Sequence, residues 1–506
     1  MFRKLLLLFV LFTLPGVAHA EWYEVSSAHF VVYGNDRPER LKKFADDLER
    51  FDQAMRALRG FPNEPVGKAN RVTVYMLPSV EAVSKLHGDK MVGGFYQARA
   101  GGSLAFVPKR AESYVEDNLV QVILFHEYTH HMMFSIFANS AFPAWLVEGW
   151  AEFHSTAEIK RDGSVMFGAA PNSRAWGLLS GNPLPLERIL SADTGKLNQV
   201  QTDALYGRGW ALTHYLSFEP TRKGQLGRYV TEINAGKSAA EAAQVFGDLK
   251  ILHRELEGFL NKRTITGVTV RADAIKIGEI LVRKLTPGEA ATMDVRIRSK
   301  RGVDEKTAPG VYAAAKKAAA PFPNDPGAQI VLAEAAYDAN DYAESEAAAD
   351  RAIAADPNAI DAWVYKAMSR MAVAEKKDDD SKETWRDIRK IIVTANKIDP
   401  DDPEPLILYY RSFGEAHQVA TKSAKDGLYR AFELAPYDFG LRMNVAYMLF
   451  YDGMKAEARI LLLPLAYNPH GGGLAEAAKQ MITRIDAGAA EAPREGEASA
   501  KAAGGR

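Results

Sequence analysis

The sequence contains no cysteine in 506 residues. Disulfide staples, thiolate metal ligands and a cysteine nucleophile are therefore excluded, and any metal has to be held by histidine and carboxylate. An excess of one charge is missing too: 63 Lys+Arg against 64 Asp+Glu leave a formal net charge of −1. Nothing in that balance recommends nucleic acid or an anionic membrane as a partner. Beyond residue 20 there is no apolar run long enough to cross a bilayer. The one short run, Leu5 to Phe12, follows Arg3 and Lys4 and precedes Pro15-Gly16 and Ala18-His19-Ala20. That is the pattern of a secretory signal peptide cleaved after Ala20, so the expectation is an exported protein, periplasmic or secreted, with no integral membrane segment after cleavage.

What is present centres on His126-Glu127-Tyr128-Thr129-His130, which follows the apolar run Leu119 to Phe125 and reads as part of a buried helix. Residues four apart share a helix face, so His126 and His130 can offer two imidazole nitrogens to one metal with Glu127 beside them. Two histidines leave a catalytic zinc short of a third protein donor. A second helix opens at Phe142-Pro143-Ala144-Trp145-Leu146-Val147-Glu148-Gly149 and sets Glu148 and Glu152 one turn apart. The bland alternative is a core helix whose histidines merely hydrogen-bond, with the carboxylates on the surface. Burying so many ionisable groups beside Phe125, Met132, Met133 and Phe134 would be costly without a cation to compensate them.

His126-Glu-x-x-His130 followed by Trp145-Leu-Val-Glu148-Gly149 resembles the gluzincin metallopeptidases, specifically the peptidase-MA-like group of bacterial exported proteins. The resemblance covers roughly residues 21–262. It implies one zinc ion held by His126, His130 and Glu148, with Glu127 as general base taking a proton from the metal's water. It also implies that Glu152 orients the first zinc histidine. For the donor that meets the developing oxyanion, the resemblance leaves two candidates, Tyr206 and His214. His131 is expected to hydrogen-bond locally, and His87 and His154 have no motif behind them.

In chain order, Phe30–Tyr33 and Arg71–Leu77 read as strands, Arg37–Gly60 and Val80–Leu86 as helices, and Gly93–Ala98 with Ser103–Val107 as a hairpin. Leu104, Ala105 and Phe106 lie on the last of these strands. It is either an ordinary edge strand or, by the resemblance, the cleft rim that pairs with an extended peptide substrate. No acidic residue sits there to grip a free amine, which favours an endopeptidase. After Ser155 the pattern is mostly helical, with a turn at Arg161–Ser164 and a loop at Ser180–Pro183. Residues 263–308 alternate in a strand-like way, at Val268–Arg271 and Met293–Ile297, and predict a small β-rich linker unit.

From 309 to 485 the chain becomes alanine-rich, punctuated at Asp325-Pro326, Asp356-Pro357, Asp399-Pro400, Ala435-Pro436 and Asn468-Pro469. Those spacings resemble tetratricopeptide repeats, each a helix-turn-helix, whose stacked array offers a surface to a protein partner. The charged run Glu375–Asp380 predicts a solvated loop between helices, and 486–506 a disordered tail. The expected architecture is thus an α+β zincin-like catalytic domain, a small mixed sheet plus helices, followed by an all-α solenoid. The expected function is an exported zinc endopeptidase acting on peptides or proteins. A repeat-based interaction scaffold with a structural or inactive zinc site is the alternative, and hydrolysis of a non-peptide amide would use the same residues.

Overall fold

The computed structural model of the protein describes residues 21–63, 66–90, 92–109, 119–174, 178, 184–191, 197–265 and 267–488. The leader, the Ser180–Pro183 loop and residues 489–506 of the tail lie outside them. The described chain is 63% helical, with 20 helices and a small mixed sheet near the N-terminus.

That sheet is built from β1 (Tyr23–Ser26), β2 (Phe30–Gly34), β3 (Val72–Leu77), β4 (Phe95–Gln97), β5 (Leu104–Pro108) and β9 (Leu281–Lys284), in the order β4-β5-β3-β2-β1-β9. β2, β3 and β5 run parallel, joined by crossovers through α1 (Pro38–Arg59) and α2 (Val80–His87), while β4, β1 and β9 pair antiparallel. Register sorts the side chains onto two faces, because paired residues point the same way. Val25, Val32, Val74 and Ala105 form one row, wholly buried in the same core as α1 and α3 (Leu119–Ile136). Tyr33, Tyr75, Phe106 and Phe95 form the other, a ladder of rings with centroids 5.5, 5.4 and 4.7 Å apart.

The aromatic face explains a departure from the sequence reading. Met293–Ile297 is not a strand but lies within α10 (Pro287–Arg301), which lays Met293 and Ile297 on the Tyr33–Tyr75–Phe106 ladder. Arg296 stacks over Tyr33 at 4.6 Å and bonds the Tyr75 hydroxyl at 3.2 Å. The helix start was written in Thr286-Pro287-Gly288-Glu289, a reciprocal capping box with proline in the first turn, which outweighs the local alternation. Nor does the segment carry a sheet of its own. β8 (Val268–Val270) completes a three-stranded sheet with β6 (Glu158–Ile159) and β7 (Val165–Phe167), and β9 pairs with β1.

The helical half is an array of hairpins. α10 is followed by α11 (Ala308–Ala319), α12 (Pro326–Asp338), α13 (Tyr342–Ala355), α14 (Ile360–Lys376), α15 (Lys382–Ile398), α16 (Pro403–Gly414), α17 (Lys422–Leu434), α18 (Phe439–Tyr451), α19 (Lys455–Ala466) and α20 (Gly472–Asp486). Each helix packs on the next, and alternate members such as α10 and α12, or α12 and α14, also touch. Alanines at the contacts, such as Ala333, Ala335, Ala348 and Ala349, are fully buried and let the backbones approach. Residues 377–381 form the largely exposed turn expected between helices, while the length of the interval comes from α14 and α15, at 17 residues each.

Both ends of the array close on the N-terminal half. At one end α10 covers the aromatic face of the sheet; at the other, residues of α17 to α20 share one continuous core with α1 and α3. Tyr437 lies on the His131 ring at 4.2 Å, Phe439 against Phe134 at 4.9 Å, and Asp438 accepts the Ala100 amide at 2.8 Å. The fully buried Arg442 stacks on Phe432 and donates to the carbonyls of Ala138 and Pro436.

One crossing positions the rest. α4 (Ala144–Ser155) and α6 (Gln199–Phe218) meet backbone to backbone at Gly149 and Gly209; α5 (Leu186–Leu190) packs beside them. A Cβ on Gly209 would stand 2.6 Å from the Trp145 carbonyl oxygen, which no ordinary contact allows. We expect Gly209→Ala to destabilise the protein by about 1–3 kcal/mol, the usual cost of overpacking, read as a lower urea midpoint at unchanged slope.

Candidate metal centre

α3 carries the His-Glu-x-x-His stretch and is held from behind. The Tyr128 hydroxyl donates to Asp52 Oδ1 at 2.7 Å, and Asp52 also receives Arg56 Nε at 2.9 Å. His29 completes this cluster, its Nδ1 2.9 Å from Glu49 and 3.5 Å from Asp52. Burial opposes charge on His29, yet Glu49 and Asp52 hold its proton affinity above the ordinary value. His29, Glu49 and Asp52 lie close enough to share an ion, but Arg56 and the imidazole already supply the cations their carboxylates need. They act as a lock between β2, α1 and α3.

On the other face of α3 the expected ligands meet. His126 Nε2 and His130 Nε2 are 3.1 Å apart, and Glu148 Oε2 lies 3.4 and 3.6 Å from them. For bonds of about 2.0–2.1 Å around a tetrahedral zinc, ligand atoms should be about 3.3–3.4 Å apart. The three residues present fit that ion in both spacing and donor chemistry. Glu148 is fully buried, and neither of its carboxylate oxygens has a hydrogen-bond partner among the described residues, which leaves acceptors for a cation. Burial works against ionising Glu148, but the surrounding imidazoles, His130 foremost, hold it well below the usual carboxylate range. Burial likewise works against a charged His126, yet Glu148, Glu152 and Glu127 raise it to about 9.

Around the three ligands the other candidates separate. Glu152 Oε1 lies 3.6 Å from His126 Nδ1 and accepts Arg174 Nε at 2.9 Å, so the imidazole is bracketed by a carboxylate on each nitrogen. Glu127 is half-buried, close enough to act electrostatically on His126. Tyr206 lies parallel to the His126 ring at 6.0 Å, with Arg174 over its face. Burial first, and Glu148 second, raise the phenol well above its ordinary pKa, so it remains a hydrogen-bond donor.

Two expectations fail on geometry. His214, two turns beyond Tyr206 on α6, is packed among Phe153, Trp210, Phe218 and Phe259 in the core and not against the histidine pair. Leu104, Ala105 and Phe106 are buried, and β5 is hydrogen-bonded on both sides, to β3 and to β4. β5 therefore has no free edge for a peptide; the edge strand beside α3 is β4. His131 and His154 are structural. His131 bonds the Tyr96 hydroxyl at 2.6 Å and burial lowers its pKa to about 3, while His154 bonds the Trp150 carbonyl at 2.7 Å.

One residue of the site was not foreseen. His470, in the turn between α19 and α20, puts Nε2 2.9 Å from Glu148 Oε1 and its ring 6.0 Å from that of His130. The sequence holds a faint signal for it: His470 is one of only two histidines after residue 300, and it sits in the Asn468-Pro469 turn.

No family model matches the chain, and no curated protein matches it. Among solved structures it is similar to TTC0263, a thermophilic tetratricopeptide-repeat protein of Thermus thermophilus. Identity there is 13%, the match covers 39% of this chain and 97% of that one, and the TM-score is 0.31. It is also similar to the MamA RS-1 ArsTM double mutant, at 13% identity over 39% and 96% of the two chains, with a TM-score of 0.26. The likeness to gluzincin peptidases therefore rests on the chain's own residues, with no family match behind it.

Partners of metal ligands typically govern affinity by about 10–100-fold. Glu152→Gln should accordingly weaken zinc binding by about tenfold in a chelator competition, and Glu148→Ala should abolish stoichiometric zinc; unchanged affinity in both would remove the metal assignment.

Proposed function

We propose that this protein is a zinc-dependent hydrolase of peptide bonds, with a helical array that binds a protein substrate or partner. The observation that carries it is the convergence of His126 Nε2, His130 Nε2 and Glu148 Oε2 at zinc spacing, with Glu127 adjacent on the same helix. A zinc ion held there would supply a Lewis acid that acidifies water and polarises a carbonyl. The protein's own groups supply the rest. Glu127 takes a proton from the attacking water and returns it to the leaving nitrogen, a task worth about 10²–10⁴ in rate. Tyr206, kept as a phenol, donates to the carbonyl oxygen as it gains charge, replacing His214 in that role. The substrate side of the cleft is β4, whose pairing with β5 leaves its other edge as the rim.

A scaffold is the second reading, favoured by the size of the hairpin array, which runs from residue 287 to 486. Hairpin arrays of this kind commonly present an extended surface to another protein. In that reading the zinc site, if filled, serves structure alone.

The two separate on Glu127→Gln and Tyr206→Phe. As an enzyme, the purified protein should cleave casein or a peptide library, Glu127→Gln should retain zinc but lose at least about 10²-fold in kcat, and Tyr206→Phe should lose about 10²-fold with little change in KM. Stoichiometric zinc with no cleavage by the unmutated protein would instead support the scaffold.

A further inference from the structure

The repeats and the metal centre, far apart in sequence, meet at one side chain. His470 belongs to the array, yet its imidazole contacts Glu148, and the contact is specific as to atom. Glu148 Oε2 faces His126 and His130, whereas Oε1 lies 2.9 Å from His470 Nε2, an ion-pair contact without the alignment of a hydrogen bond. The residues whose donor atoms lie within mutual reach of one ion are His126, His130 and Glu148. His470 stands outside that set, on the carboxylate's far oxygen.

The turn that carries it is built. Asn468 Oδ1 accepts the His470 amide at 2.9 Å, the Asn468 carbonyl accepts the Gly471 amide at 3.1 Å, and Gly472 takes a positive φ of 47°. Below the turn, α18 to α20 are fixed to α3 through Tyr437 on His131, Phe439 on Phe134 and Arg442 on the Ala138 carbonyl. The imidazole is thus held over the site by packing on both sides of it, while 59% of its own side chain remains exposed.

We propose that His470 is a positioning residue of the metal centre: from the end of the helical array it holds Glu148 Oε1, turning Oε2 toward His126 and His130 as a single-oxygen ligand. A carboxylate whose second oxygen is occupied cannot swing or bind through both oxygens, so the ligand arrives pre-oriented, as partners of metal ligands generally ensure. The array then completes the metal centre as well as recruiting substrate. This rests on the zinc assignment above.

The test uses the full chain with His470→Ala and His470→Gln, since glutamine can place an N–H donor at the position of Nε2. Zinc affinity is measured by chelator competition, ligand geometry by the visible absorption of the cobalt-substituted protein, and folding by the urea midpoint. We expect His470→Ala to bind zinc about tenfold more weakly and to shift the cobalt bands, His470→Gln to recover most of both, and the urea midpoint to hold because the imidazole is largely exposed. Unchanged affinity and cobalt spectrum in His470→Ala, or tighter zinc binding in it, would overturn the positioning role while leaving the zinc site standing. An unmutated protein that takes up no stoichiometric zinc would overturn both.

Discussion

The contact on which the site depends is between two backbones. Where α4 crosses α6, neither Gly149 nor Gly209 has a Cβ, and each glycine occupies space the other helix needs. Glu148 is the residue before one glycine and Tyr206 lies one turn before the other, so the crossing fixes the carboxylate and the phenol relative to each other. A glycine after the ligand glutamate therefore has a packing cause distinct from metal chemistry: any side chain at 149 would push α6 away and carry Tyr206 and Arg174's cover of it outward. Helix separations of a few tenths of an ångström would matter to any ion held by these residues, because ligand spacing around a small ion tolerates little more.

Behind α3 a second constraint opposes the first. The His29–Glu49–Asp52–Arg56–Tyr128 cluster places two carboxylates, a guanidinium and an imidazole in the interior, where desolvation alone would make each of them unfavourable. Each charge faces an opposite charge, so the cluster contributes little net stability but makes displacement of any one member expensive, on the order of 3–5 kcal/mol. That asymmetry suits a positioning role. Tyr128 sits between the two histidines in sequence, and anchoring its hydroxyl on one side of α3 sets which way His126 and His130 face on the other.

Much of this was legible in the chain because it is local. Helical periodicity located α1, a break after the strand at Leu77 located α2, the apolar run before His126 located α3 and Pro143 the start of α4, and four-residue spacing put His126 and His130 on one face. What the sequence concealed is what depends on distant pairing. Leu104 to Phe106 read as an edge strand because the local hairpin pairs it with β4 alone, and nothing local reveals that β3 takes its other side. Met293–Ile297 alternated like a strand, yet its capping box and the aromatic face of the sheet made it helical. His214 has the residue type of an oxyanion donor, but its position on α6 turns it into the aromatic core. His470 lies 322 residues beyond Glu148, and only the closure of the array on α3 brings them together.

That closure bears on how the N-terminal half and a helical array come to share one chain. Hairpin repeats contact chiefly their neighbours and are stable as stacks, so an array used only as a tether would need a linker and no shared core. Here the first helix of the array covers one face of the sheet and the last helices join the core of α1 and α3. Burying that much apolar surface against the N-terminal half removes part of the array from outside contacts, a cost a simple tether has no reason to bear. It is justified if the array also determines the state of the site. Glu148 is wholly buried beside three imidazoles, its Oε2 nearest His126 and His130 and its Oε1 2.9 Å from His470 in the turn at Asn468. The N-terminal half and the array are on this account a single cooperative unit, in which loosening the last hairpin would be felt first at the Glu148 carboxylate.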